Sequence, residues 1–146
     1  MADLTRGVIA GFIAGIVLGI ISGFYDMIYM MIVWGTTIDL WGVIFFGMSA
    51  IIRTSLVGLV FGLVYAAAYN FLPGSTSMKK GMTFSVIFWL IYYVIPGGVP
   101  FALIQGYLRD WVALVVNSVI VGFIFSLIWG STLGWAWDRV GGQPAA

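Results

Sequence analysis

From Gly7 to Val33 the chain carries a single charged residue, Asp26, and from Gly47 to Leu72 again only one, Arg53. These runs constrain the fold more than anything else in the sequence. About 20 apolar residues are enough for a helix to cross the roughly 30 Å of hydrocarbon in a bilayer. Of the 146 residues, 62% are hydrophobic and 8% charged, against about 45–50% and about 25% in an average soluble domain. So few polar side chains could not cover that much apolar surface in water. The sequence reads as an all-α integral membrane protein, a four-helix bundle forming one transmembrane domain over residues 1–146.

The first two helices are expected over residues 7–33 and 47–72. Pro73-Gly74-Ser75-Thr76-Ser77 then reads as a turn. The third helix is expected over 81–95, stopping at Pro96-Gly97-Gly98, and the fourth over 111–137, ending at Asp138-Arg139. The third is short for a full crossing, and residues 101–108 are placed to complete it as a kinked or re-entrant piece, tolerable only under protein cover. Residues 34–46, with Trp34, Trp41, Phe45 and Phe46 around Asp39, are too apolar for an ordinary loop. They either extend the two long helices or lie along the membrane interface. The first apolar run is about twice the length of a signal-peptide core, so it is expected to be retained.

Four crossings put both termini and the turn between helices two and three on one side. That side carries Arg6, Lys79, Lys80 and Arg139; the other carries Arg53 and Arg109. The positive-inside rule then places both termini in the cytoplasm, with Trp135 and Trp137 in the inner aromatic belt and Trp111 in the outer one. The layout is similar to that of small prokaryotic four-helix membrane proteins, which suggests a prokaryotic cell membrane, but no motif carries functional residues across.

The chain has no His, no Cys and no Glu. The usual protein ligands for zinc, copper, haem iron and iron–sulfur clusters are therefore missing, and nucleophile arrangements built on His or Cys are excluded. No carboxylate pair falls at one-turn spacing on a helix. We expect no catalytic residues, no metal and no cofactor. A net charge of +1 gives no footprint for nucleic acid.

Small residues recur at helical spacing. Gly7, Gly11, Gly15, Gly19 and Gly23 fall every fourth residue with Ala10 and Ala14 beside them; helix two continues with Gly58, Gly62 and Ala66, and helix four with Gly122, Ser126, Gly130 and Gly134. In lipid, helices associate where backbones can approach closely rather than by hydrophobic burial. Such strips serve either packing within the bundle or a glycine zipper between copies or partners. The segment from Gly58 to Tyr65 also matches that from Gly122 to Trp129, and Gly7/Gly11 match Gly81/Ser85. The chain thus reads as two parallel copies of a transmembrane hairpin.

Polar residues inside the apolar runs are few. Asp26 lies 19 residues after Gly7 and Arg53 19 residues before Leu72, which puts them at similar depth on neighbouring antiparallel helices. An ion pair is expected, because either charge alone at the bilayer centre costs roughly 2.5–3.5 kcal/mol. The repeat places Asn117 opposite Arg53, and Gln105 is the fourth candidate member of this cluster. The function expected is non-enzymatic: helix–helix association in the lipid bilayer, as an accessory subunit among other membrane subunits or a bundle of copies of itself. The alternative is a small oligomeric transporter or channel using the polar cluster.

Overall fold

The computed structural model describes residues 2–91 and 119–141, and they form four helices with no strand among them. Helix α1 spans Ala2–Trp34, α2 Leu40–Ala68, α3 Ser77–Trp89 and α4 Gly122–Val140. Residues 34–46 are resolved in favour of helix extension: α1 runs to Trp34 and α2 starts at Leu40. Asp39 supplies the N-cap, its Oδ1 accepting the Gly42 N–H at 2.8 Å, which satisfies one of the orphan donors of the first turn. Gly35, at φ +60°, leaves α1 in the left-handed conformation that ends many helices. At the other end Pro73-Gly74 turns the chain, with Gly74 at φ +146°, and Thr76 caps α3 by accepting the Lys79 N–H at 3.3 Å.

Helices α1, α2 and α3 start earlier than the sequence expectation, while α2 ends at Ala68 rather than Leu72. α1 starts at Ala2 rather than Gly7 and α3 at Ser77 rather than Gly81. The polar first turns stay helical, α3 behind its Thr76 cap and α1 with Asp3 at the positive end of its dipole, which an apolar-run criterion does not see. The segment 101–108 and the start of the fourth helix at 111–118 lie outside the described residues. Three stretches, Asp3–Ile32, Leu40–Ala68 and Val119–Val140, are long and apolar enough to cross a membrane. α3, with 13 residues, spans only about 20 Å.

The glycines decide how the helices pair. A Cβ on Gly11 would lie 2.7 Å from the Gly62 Cα and inside contact distance of the Gly58 carbonyl oxygen; one on Gly7 would strike Gly62 and Ala66; one on Gly15 would lie 2.7 Å from the Ser55 Cα. Gly19 faces Ile51 and Thr54, and Gly23 faces Ala50 and Gly47. The whole α1 strip is therefore covered by α2, backbone against backbone. The Thr54 hydroxyl uses that proximity, donating across the interface to the Gly15 carbonyl at 2.7 Å. α3 and α4 repeat the arrangement on a shorter scale, Gly81 against Gly130 and Gly134, and Ser85 against Gly130.

The two antiparallel pairs meet over a core of Ala10, Ala14, Tyr65, Phe84, Trp129, Leu133, Ala136 and Trp137. Small side chains on α1 face large ones on α4, and the rings of α2 and α3 interlock edge to face, Phe61 with Phe88 at 4.5 Å and Tyr65 with Phe84 at 5.3 Å. Such aromatic pairs add about 0.5–1.5 kcal/mol each beyond the area they bury.

Candidate functional site

Close packing of Gly19 and Gly23 on α2 brings Asp26 beside Arg53. Arg53 Nη2 lies 3.7 Å from Asp26 Oδ2, with side chains 69% and 48% exposed. About 30 Å of helix separates Arg6 from Asp26, one hydrocarbon thickness. Arg53 is not level with Asp26 as expected: it lies opposite Gly19, which faces Ile51 and Thr54, about two turns away, and its long side chain reaches along α2 to the carboxylate. Beside the pair, Tyr25 stacks on Tyr29 at 6.1 Å and meets Phe125 of α4 edge-on at 5.4 Å. Asn117 and Gln105, the other candidate members, lie outside the described residues. Arg53→Ala should cost about 1–2 kcal/mol, less than for a charge at the bilayer centre, and the charge-swapped double variant Asp26→Arg/Arg53→Asp should recover most of it. Denaturant titration of the three proteins measures this; equal losses in the single and swapped variants would rule out the pairing.

A second polar cluster lies at the opposite end, where the first turn of α1, the end of α2, the start of α3 and the end of α4 converge. Sequence reading used its charges only to orient the chain. Ser77 is its hub. The buried Tyr65 hydroxyl donates to the Ser77 carbonyl at 2.9 Å, the Tyr69 hydroxyl shares a hydrogen bond with Ser77 Oγ at 2.6 Å, and Ser77 Oγ donates to Asp138 Oδ1 at 2.5 Å. Arg6 closes the set, its Nη2 3.8 Å from Asp138 Oδ1. One chain of polar contacts thus ties all four helices, and Tyr65, wholly buried, has its hydroxyl satisfied as burial requires.

Around that hub the molecule makes one contact twice. Arg6 Nε donates to the Trp137 carbonyl at 2.6 Å, and its guanidinium lies 4.5 Å from the Trp137 ring. Lys80 Nζ donates to the Tyr69 carbonyl at 3.0 Å and lies 4.1 Å from the Tyr69 ring. The two rings stack on each other at 4.7 Å and 20°. Each cation therefore donates to a carbonyl at a helix end, that of Trp137 also accepting the Gly141 N–H at 3.2 Å, favours the negative end of that helix and adds a cation–π contact of about 0.5–2 kcal/mol. Gly141 leaves room for the guanidinium, since a Cβ there would collide with it.

Arg6 precedes Gly7 and Lys80 precedes Gly81, so the doubled contact follows the match of α1 to α3. On the other side it equates Tyr69 with Trp137, Gly62 with Gly130 and Ala66 with Gly134. That register is one helical turn later than the sequence match of Gly58 with Gly122, and it sets Arg53 opposite Val121 instead of Asn117. Gly122 opens α4, and Ser126 returns its hydroxyl to the Phe123 carbonyl of its own helix at 2.7 Å. Trp137 is 3% exposed and Trp135 48%, so only Trp135 is placed for an aromatic belt. The available sequence signal was the pairing of a cation with the glycine that opens each close-packed face. Comparison of the chain with protein-family models, with curated proteins and with solved structures gave no match.

Proposed function

We propose that this chain is a multi-pass integral membrane protein that acts without catalysis, through helix association, as an accessory subunit of a membrane complex or a bundle of its own copies. The observation that carries this reading is the overhang of the α1–α2 hairpin. Beyond Asp26, α1 continues for about 12 Å to Trp34, and α2 comes back over the same distance. Ile28, Met31, Ile32, Leu40, Trp41, Phe45 and Met48 are exposed on this tip. A hairpin longer than the hydrocarbon must tilt, thicken the bilayer or find cover, and apolar side chains beyond the polar pair favour cover by protein. The glycine strip of α1 is taken up by α2, so that cover would use large side chains rather than a zipper between copies.

The doubled cation–carbonyl contact supports a chain of two related hairpins about an axis along the bundle. With four crossings, Arg6, Lys79, Lys80 and Arg139 lie on one side, which the positive-inside rule assigns to the cytoplasm of a prokaryotic cell. A second reading, an oligomeric transporter, draws support from the Asp26–Arg53 pair, but the described interior is filled with rings and small side chains. Extraction in a mild detergent followed by native mass measurement tests the proposal. A stoichiometric partner chain or a defined oligomer is expected. A lone monomer, with solute flux in liposomes that Asp26→Asn abolishes, would replace it with the transporter reading.

A further inference from the structure

A shallow cleft of about 170 Å³ opens at the polar end, lined by Asp3, Arg6, Ala66, Tyr69, Asn70 and Trp137. That is several times the roughly 30 Å³ a water occupies. Arg6 is the under-used group in it. The guanidinium side chain is 17% exposed and has five N–H donors. Nε is committed to the Trp137 carbonyl. The Asp138 oxygen nearest Nη2 is 3.8 Å away and already accepts from Ser77. Among the described residues no closer acceptor serves the Nη groups.

The doubled architecture shows that the opening is specific to one half. By the correspondence above, Asp3 matches Ser77 and Asn70 matches Asp138. In the second half those two positions bond directly, Ser77 Oγ to Asp138 Oδ1 at 2.5 Å, and fill the space between their helices. In the first half the matching residues, Asp3 and Asn70, line an open cleft instead. A carboxylate and a guanidinium one turn apart on the same helix face then present both charge signs over aromatic walls.

We infer that this cleft binds the headgroup of a phospholipid whose phosphate carries an ammonium, as in phosphatidylethanolamine. The inference rests on the membrane reading, which puts this end at headgroup depth. The phosphate takes the Arg6 Nη donors, held only by the 3.8 Å ion pair to Asp138 and able to make a bidentate fit, and the Asn70 amide. The ammonium goes to Asp3. Phosphatidylglycerol supplies the phosphate without the cation, and phosphatidylcholine a cation without N–H donors.

The test is native mass spectrometry of the full chain, extracted from membranes and exchanged into each of these three lipids in turn. Retention of phosphatidylethanolamine is expected to exceed that of the other two, and Arg6→Gln to lower it about tenfold, the equivalent of one charge-assisted hydrogen bond. Arg6→Lys should restore part of it. Asp3→Asn touches only an exposed residue, so it keeps the fold; it should erase the preference for phosphatidylethanolamine over phosphatidylglycerol. Equal retention of the three lipids by membrane-extracted wild-type protein overturns the headgroup site and leaves the membrane reading standing. Recovery of the chain from the soluble fraction overturns both. Binding of soluble phosphoethanolamine without lipid selectivity overturns the lipid as the source of the group.

Discussion

Gly11→Leu is expected to abolish the α1–α2 pairing. The new Cβ alone would sit 2.7 Å from the Gly62 Cα and against the Gly58 carbonyl, and both are backbone atoms that cannot rotate away. Overpacking a core costs about 1–3 kcal/mol where side chains can shift. Here the helices must separate, which also breaks the Thr54–Gly15 hydrogen bond and the backbone contact at Gly7 and Gly15. A loss of more than about 4 kcal/mol, the range of severe single substitutions, is the expected result in a reversible denaturant titration in detergent. Gly47→Ala is the control on the same helix pair. A Cβ at Gly47 meets nothing within 4 Å, so the change should be neutral or stabilise by up to about 1 kcal/mol through helix propensity. Wild-type stability in Gly11→Leu would mean that α1 does not lie on α2 in this register.

Trp137→Ala is expected to be the other severe change. Trp137 is 3% exposed, stacks on Tyr69 at 4.7 Å, meets the Tyr65 ring edge-on at 5.4 Å and carries the Arg6 guanidinium. Truncating a buried Trp costs about 3–5 kcal/mol. Two residues away, Trp135 has the same chemistry, but it is half exposed and its one described partner is Arg139, 5.7 Å from the ring. Trp135→Ala should cost less than about 1 kcal/mol. Comparable losses for the two variants would contradict the packing of α4 described above.

The helical class was legible because apolar runs of membrane length admit few other folds. The α1 glycine strip was legible as a close-packing face, since glycines every fourth residue let another backbone approach, but its partner was not: the same spacing serves a neighbouring helix or a second copy, and the structure sets it against α2. The Asp26–Arg53 pair was expected from equal rises along antiparallel neighbours; the ion pair is present, but the register of α1 on α2 offsets the two residues along the axis and the arginine side chain spans the difference. The polar end was not legible. Ser77 and Asp138 are 61 residues apart, and nothing local marks them as partners; only the convergence of four helix ends brings them together. Trp137 was assigned with Trp135 because adjacent aromatic residues look alike in composition, while helical geometry turns them roughly 200° apart, two steps of the 3.6-residue period. Gly-x-x-x-small spacing matches itself equally well when shifted by one turn, and the Arg6–Trp137 and Lys80–Tyr69 contacts favour the shifted match over that of Gly58 with Gly122.

In a membrane bundle of this build the polar cluster and the α1–α2 tip face opposite sides. The absence of cysteine from the chain allows a direct measurement: single substitutions Ser75→Cys and Thr37→Cys, each probed with an impermeant thiol reagent in sealed vesicles of known orientation. Ser75→Cys is expected to react from one side only, the cytoplasmic one, and Thr37→Cys only from the other. Reaction of Thr37→Cys and Ser75→Cys from the same side would contradict that arrangement.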